Sequence, residues 1–250
     1  MKALPNLRAL SLYRQRIADI SALRDTKLQA LGIGYNPVTD LSPLQGNPNL
    51  TSLNVCGLDL SDTGVLATLP HLRALFIGGT DIEILAGLSD LPLETLNLVD
   101  VPFTDDQSLA ALEELKTLTL SKIWPSVVPH LAALELETLE ITYAWGASPR
   151  DLEPLTRLKR LSYRTEQPVT LSAEPLRFPR LEVLELKGVS MESLGCLSAL
   201  SNLRTLGIYE ADCRDYSGLD ALERLETVWA TPEQAAILDA QYPGHRWKIE

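Results

Sequence analysis

The sequence has few of the residues that build metal sites, disulfide frameworks and catalytic centres. Its 250 residues include only three histidines and three cysteines. His71, His130 and His245 fall at unrelated positions of the repeat described below, so they predict neither a metal cluster nor a base beside a nucleophile. The glycines form no phosphate-binding motif. The sequence therefore predicts a protein that is not an enzyme and that uses no cofactor or metal.

Long apolar runs and an excess of positive charge are also missing. No hydrophobic stretch reaches the roughly 18–20 residues of a membrane-spanning helix, and the start, MKALPNLRAL, has no signal-peptide core. The chain has 22 Lys and Arg against 33 Asp and Glu, a net charge of −11. This balance argues against nucleic acid or a membrane as the partner.

The three cysteines predict no disulfide. Their number is odd, and Cys56, Cys196 and Cys213 take different places in the repeat: a strand, the outer side and an inward position. We therefore expect the protein in a reducing, cytoplasmic location.

One repeated pattern dominates what the sequence does contain. A frame of leucine, two variable residues, leucine, one variable residue and an aliphatic residue returns eleven times, at steps of 21 to 23 residues. One such unit cannot bury its own apolar face, so neighbouring units must stack into a solenoid. The frames begin at Leu7, Leu28, Leu50, Leu72, Leu93, Leu115, Leu136, Leu158, Leu181, Leu203 and Leu225, and we number the coils 1 to 11 accordingly.

The period and frame resemble those of the leucine-rich repeat family, in particular the short 21–22-residue class to which the bacterial internalins belong. The second repeat, LQALGIGYNPVTDLSPL from Leu28 to Leu44, matches best, and the resemblance covers roughly residues 4–231. It implies an α/β repeat solenoid, a horseshoe or arc with one parallel sheet on the concave face and short 3₁₀ or helical turns on the convex face. Function is implied only broadly, since the family binds very different partners.

The chain departs from the family at the ninth position of the repeat. The family usually has an asparagine there, which bonds backbone groups of adjacent coils, whereas only Asn36 fills the position here. The turns must then be satisfied by water or by direct bonds between coils, and we expect an irregular edge. Each strand should span three to five residues, with Ser108–Leu115 and Ser193–Leu200 as α-helical turns in the returns.

The two ends of the chain differ. Residues 1–231 are predicted to form the array of eleven repeats, and residues 232–250 a helix–strand cap. Thr231 is placed as the N-cap of a helix with proline at its first position and glutamine at its third, running to about Gln241. The first coil has no comparable cap, which exposes Leu4, Leu7 and Leu10. Either the chain is a fragment cut from a longer chain, or a partner covers that end. We expect the protein to be a monomer or a fragment of a larger chain.

The residue after the first leucine of each frame alternates in charge over eight coils. Since equivalent positions of adjacent parallel strands are neighbours, every charge lies between two of opposite sign. We interpret this as a salt-bridge ladder that serves solubility and register. Its members are Arg73, Glu94, Lys116, Glu137, Lys159, Glu182, Arg204 and Glu226.

The outward residues of the strands change character along the chain. The first five coils are read as presenting small residues and one exposed phenylalanine, whereas charged and aromatic residues appear from the seventh coil onward. Arginine and aromatic side chains are concentrated in protein interfaces. The predicted partner-binding residues are Tyr143, Arg164, Lys187, Tyr209 and Trp229, with Trp124 and Trp145 at the edge.

The two tryptophans of this set, Trp124 and Trp145, lie one repeat apart at the tenth position of their coils. They form either an aromatic patch that anchors a partner or rings that fill the space left by the missing asparagines.

Three functions remain open. The first is a non-enzymatic protein–protein interaction module that recognises a protein partner through its concave face. The second is the C-terminal sensor arm of a larger nucleotide-binding signalling ATPase, and the third is the recognition arm of a fused enzyme.

Overall fold

A computed structural model describes residues 6–249 of the chain. It contains short strands that alternate with tight return segments. The chain divides into two compact units. The first holds the residues up to Thr119 together with Ala133–Glu135, and the second holds Leu120–Ala132 together with the residues from Leu136 onward.

The strands of the first unit are parallel and follow one another in the order of the chain. The second leucine of each frame lies beside the second leucine of the next, because a shift by one residue would turn the leucines out of the core. The strands are β1 (Ala9–Ser11), β2 (Ala30–Gly32), β3 (Ser52–Asn54), β4 (Ala74–Phe76) and β5 (Thr95–Leu98), and β6 (Thr117–Leu120) begins where this unit ends.

The second unit repeats this arrangement. Leu139, Leu161, Leu184 and Leu206 stand side by side in one parallel register, which continues to Val228. The strands are β7 (Thr138–Ile141), β8 (Arg160–Leu171), β9 (Val183–Ser193), β10 (Thr205–Asp215), β11 (Thr227–Trp229) and β12 (Lys248–Ile249).

The core of each unit is built from the aliphatic residues of the frame and of the returns. Leu50, Leu53 and Val55 of the third frame have no exposed surface, and Val38 and Leu44 of the preceding return are at most 1% exposed. Each strand places alternate side chains outward, so the residues between the frame aliphatics are free to form a surface.

The returns are 3₁₀ segments rather than α-helices, apart from α1 (Val128–Ala132). The α-helical turns predicted at Ser108–Leu115 and Ser193–Leu200 are wrong, because 3₁₀ segments form there instead. A return of about a dozen residues favours the 3₁₀ form, since it advances about 2.0 Å per residue against 1.5 Å for an α-helix. The 3₁₀ segments span Ser21–Leu23, Ser42–Leu44, Leu66–Thr68, Ala86–Leu88, Asp106–Ala111, Pro149–Leu152, Leu194–Leu197 and Leu219–Ala221.

Strand length differs from the prediction in coils 8 to 10. β8 has 12 residues and β9 and β10 have 11 each, not three to five. These coils lack the asparagine, as every coil but the second does. Their backbones bond directly to one another past the ninth position, where Leu171 pairs with Met191 and Met191 with Cys213. The direct bonds between coils anticipated from the sequence thus extend the strands themselves.

The C-terminal helix α2 spans Pro232–Gln241. Thr231 Oγ1 accepts a bond from Gln234 N (3.3 Å), and Gln234 Oε1 accepts one from Thr231 N (2.9 Å). Gln234 Nε2 also donates to the carbonyls of Ile208 (2.9 Å) and Ala211 (3.1 Å), so it supplies coil 10 with the donor that an asparagine would provide. β12 pairs with β11, and Trp247 is 7% exposed beside it. The division between array and cap at residue 231 stays a prediction.

At the first coil, Leu7, Leu10 and Leu12 are only half-buried. Leu4, predicted to be exposed, lies outside the described residues. No helix in the range 6–249 combines the length and apolar character that crossing a membrane requires.

Candidate interaction surface

Four of the sequence-predicted residues form one row across coils 7 to 10. Arg164 and Lys187 are register partners on β8 and β9, so the two cations stand side by side. The Arg164 guanidinium lies 5.9 Å from the ring centroid of Tyr143, and the Lys187 ammonium lies 4.5 Å from that of Tyr209. We call Tyr143, Arg164, Lys187 and Tyr209 the strand-face row.

The two ends of the strand-face row are held differently. Tyr143 is 41% exposed and Arg164 is also exposed, so this end is open to solvent. Lys187 is half-buried, and its ammonium lies 3.6 Å from a carboxylate oxygen of Glu210. A hydrogen bond with Tyr209 raises the pKa of Lys187, and the nearby Glu210 charge acts in the same direction. Lys187 therefore stays protonated, and it is held in place between these two groups.

A β-bulge decides how the row ends. The register between β9 and β10 shifts between Gly207 and Glu210, so Glu210 rather than Tyr209 stands opposite Lys187. Counting positions in the repeat would have placed Tyr209 there. The bulge adds a carboxylate to the row while the tyrosine ring remains within reach of the ammonium.

Glu185, two residues before Lys187 on β9, forms an ion pair of 3.2 Å with Arg160, which lies four residues before Arg164 on β8. Glu185 is the less exposed of the two, with 18% of its side chain accessible.

Trp229 lies apart from the strand-face row. It is half-buried beside Gly207, its register partner on β10. A Cβ at Gly207 would lie 3.2 Å from the Trp229 ring, which shows that the ring occupies the space left by the missing side chain. Trp229 therefore has a packing role in addition to any exposed contact.

The two tryptophans at the edge remain exposed, Trp124 by 41% and Trp145 by 52%. The Lys122 ammonium lies 5.5 Å from the ring centroid of Trp145. Rings that filled a gap in the coil would be buried, so this exposure favours the interpretation of Trp124 and Trp145 as an aromatic patch. We call these two residues the tryptophan pair.

Comparison with known proteins rests on structure alone. No protein-family model and no curated protein matches the chain. An internalin (inlF) from Listeria monocytogenes is similar with a TM-score of 0.65 at 20% identity, over 92% of this chain and 75% of that one. The chain has the leucine-rich-repeat fold.

Two other solved leucine-rich-repeat structures are similar and come from complexes. The mouse RP105/MD-1 complex matches with a TM-score of 0.58 at 19% identity, over 91% of this chain and 47% of that one. The TLR13–ssRNA13 complex matches with a TM-score of 0.65 at 19% identity, over 82% of this chain and 36% of that one. At such identities the likeness concerns the fold.

The leucine-rich-repeat coils of the first unit present a cluster that the sequence interpretation missed. Tyr13 and Tyr35 are 42% and 46% exposed, so the expectation of small residues over the first five coils is wrong. The sequence did contain a signal for this cluster, at the eighth position of the repeat. Coils 3 and 4 have glycine there, Gly57 and Gly79, with left-handed backbones. Coils 1 and 2 have the large residues Arg14 and Tyr35 at the same position.

Among the ion pairs of the described residues, three belong to the predicted charge ladder. Arg73 pairs with Glu94, Arg204 pairs with Glu226, and Lys159 pairs with Glu137 at 2.9 Å. The side chains are 39% to 61% exposed, so each pair contributes only about 0.2–1 kcal/mol.

The described cysteines are all free. Burial raises the pKa of Cys196 to about 11 and also raises the pKa of Cys56 and of Cys213. A raised pKa keeps the thiol protonated, and the protonated form is a poor nucleophile.

Within residues 6–249, no three His, Cys, Asp or Glu side chains lie close enough together to hold a metal ion.

Proposed function

We propose that this leucine-rich-repeat chain is a non-enzymatic protein-recognition module. Its contact surface is the strand-face row, with the tryptophan pair at the edge. The observation that carries the proposal is the row itself, in which two neighbouring cations each lie against an aromatic ring on a rigid sheet.

The row has the composition and the order that binding requires. Aromatic and arginine side chains dominate the energy of protein interfaces. Fixing a side chain in one rotamer on binding costs conformational entropy. A side chain that its neighbours already hold in place loses less of this entropy. Lys187 is fixed by Tyr209 and Glu210 before any partner arrives, whereas Arg164 and Tyr143 remain accessible.

The partner we propose is a protein rather than a nucleic acid. The net charge of −11 opposes a polyanion over long distances, and the row combines Arg164 and Lys187 with the acidic Glu210. A mixed surface of this kind complements the mixed charges of a protein.

We also propose a reducing location, which the three free thiols support. Thiol labelling in intact source cells would refute this proposal if it found the protein in a disulfide.

The experiment first captures a partner from source-cell extract by crosslinking and then measures its affinity by calorimetry with purified proteins. The variants are Tyr143→Ala, Arg164→Ala and Tyr209→Ala, separately and combined. Loss of a central contact should weaken binding by about 30-fold or more, the equivalent of roughly 2 kcal/mol. Arg180→Ala is the matched control, because Arg180 is an exposed arginine of the same unit away from the row.

A second control is Ser11→Ala, which alters an exposed strand residue of the first unit. The proposal is wrong if the triple variant keeps the wild-type affinity while Ser11→Ala abolishes it. Trp124→Ala tests the tryptophan pair separately. A large drop in melting temperature would show that Trp124 supports the fold and would remove the pair from the contact surface.

A further inference from the structure

The backbone at the eighth position of the repeat is left-handed in each of the first five coils. The φ angles are 55° at Arg14, 56° at Tyr35, 65° at Gly57, 68° at Gly79 and 56° at Asp100. Glycine adopts this conformation without strain, but side chains such as those of Arg14 and Tyr35 adopt it at a cost in stability. Strained backbones of this kind are concentrated at functional sites, which turns attention to the two bulky side chains, Arg14 and Tyr35.

The two strained residues meet on the surface. The Arg14 guanidinium lies 4.9 Å from the ring centroid of Tyr35 and 5.3 Å from that of Tyr13. The two rings contact each other edge to face, with their centroids 5.0 Å apart. We call Tyr13, Arg14 and Tyr35 the Tyr–Arg–Tyr cluster. Both rings remain more than two-fifths exposed, so the cluster is not part of the core.

The residues beneath the Tyr–Arg–Tyr cluster hold it rigid. Asn36 Oδ1 accepts bonds from Gln15 N (2.9 Å) and Ile17 N (3.0 Å), which ties the turn after Arg14 to the turn after Tyr35. In the next coil, a Cβ at Gly57 would lie 2.7 Å from the Tyr35 ring. The glycine therefore leaves the space in which the ring lies.

The first coil, which carries Tyr13 and Arg14, has a net charge opposite to that of the whole protein. Residues 6–27 contain five basic and two acidic side chains, although the chain carries −11 overall. Arg14 forms no ion pair with any residue of the described range. A guanidinium that lies beside two rings, with its N–H groups unpaired, has the planar fork that binds a carboxylate through two hydrogen bonds.

We propose that the Tyr–Arg–Tyr cluster is a second interaction surface, which recognises an acidic protein segment by binding a carboxylate to Arg14 between Tyr13 and Tyr35. The charge complementarity of the first coil selects an anionic ligand. The acidic remainder of the chain disfavours a long polyanion and favours a short acidic stretch of a protein. This surface is independent of the strand-face row, which lies in the other unit.

The test uses the full chain and a fluorescent peptide of alternating glutamate and glycine, with its glutamine counterpart as the neutral probe. Fluorescence anisotropy at low salt should show binding of the glutamate peptide only. Arg14→Gln and Tyr35→Ala should each weaken binding about tenfold, the loss expected for a charge-assisted contact. Arg24→Gln is the matched control, because it removes an exposed arginine of the same coil outside the cluster.

Arg14→Gly separates recognition from structure. Glycine suits the left-handed backbone, which offsets the loss of the Arg14 contacts with the two rings, so this variant should stay folded while losing the peptide. The proposal is overturned if the glutamate peptide does not bind or if the glutamine peptide binds equally well. It is also overturned if Arg24→Gln weakens binding as much as Arg14→Gln, or if folded Arg14→Gly still binds the glutamate peptide with the wild-type affinity. Binding of a single-stranded oligonucleotide in preference to the peptide would likewise overturn it.

Discussion

Asn36 provides a direct test of how adjacent coils are held together. It is 5% exposed, and its side chain bonds to five backbone groups. Asn36→Ala removes the acceptor of two N–H groups and the donor to three carbonyls. The affected groups are the amides of Gln15 and Ile17 and the carbonyls of Leu12, Ile33 and Gly34.

The magnitude follows from these bonds. A hydrogen bond contributes about 0.5–1.5 kcal/mol net, and a buried group left without a partner costs more. Gln15 is exposed, so water can replace part of what it loses. The carbonyls of Leu12 (2.7 Å) and Ile33 (2.8 Å) lie deeper. We therefore expect Asn36→Ala to destabilise the first two coils by about 2–4 kcal/mol.

The loss should be local, because each coil of a repeat array contacts only its neighbours. Hydrogen exchange measures such local opening. Amides of coils 1 and 2 should exchange about 30- to 800-fold faster, the factor that corresponds to this free energy, while those of coils 9 and 10 keep their protection. Asn54→Ala is the control, because the Asn54 side chain accepts a bond from Cys56 N of its own coil, at 3.1 Å, and not from an adjacent coil. Unchanged exchange at Gln15 and Ile17 would refute the assignment, as would equal acceleration in both units.

Two further predictions concern charge and ionisation in the second unit. Glu137→Lys places a lysine against Lys159 and should destabilise the protein by about 1 kcal/mol at low salt and less at 1 M salt; an equal effect in Glu113→Lys, or no salt dependence, would count against the ladder. Tyr163 is fully buried and donates to the carbonyl of Ala147 at 2.8 Å, and burial raises its pKa from 10.0 to about 12. The unfolded state ionises first, so the free energy of unfolding should fall as pH rises from 10 to about 12. Tyr163→Phe should lessen that fall in pH-dependent denaturation, and an unaltered slope would contradict this account.

Much of the candidate site could be placed in the repeat without coordinates, but its contacts could not. The repeat period puts Arg164 and Lys187 in adjacent coils, and they are register partners in the structure. It also predicts Tyr209 opposite Lys187, whereas the bulge in β10 puts Glu210 there. A bulge depends on how two particular strands satisfy their backbones, and a residue count carries no information about that.

The long strands of coils 8 to 10 have a similar cause. Coils 8 to 10 have Glu166, Val189 and Ala211 at the position where the family has asparagine. Their backbone groups therefore needed other hydrogen-bond partners. Whether water or a neighbouring coil would supply it depends on the distance between the returns. In coil 10, one backbone carbonyl is bonded by a side chain: Gln234 donates to Ala211 O from a helix that begins 21 residues later in the chain.

The sequence by itself determined the solenoid, its step and its inward face, because a frame repeated every 21 to 23 residues can bury its leucines only by stacking. It also determined α2, since the Thr231–Gln234 capping pattern acts over four residues. Tertiary structure alone decided which exposed side chains meet. The ring of Tyr35 reaches Arg14 because Asn36 aligns two turns and Gly57 leaves room. Such contacts depend on backbone angles and on the separation of neighbouring coils, which no single repeat encodes.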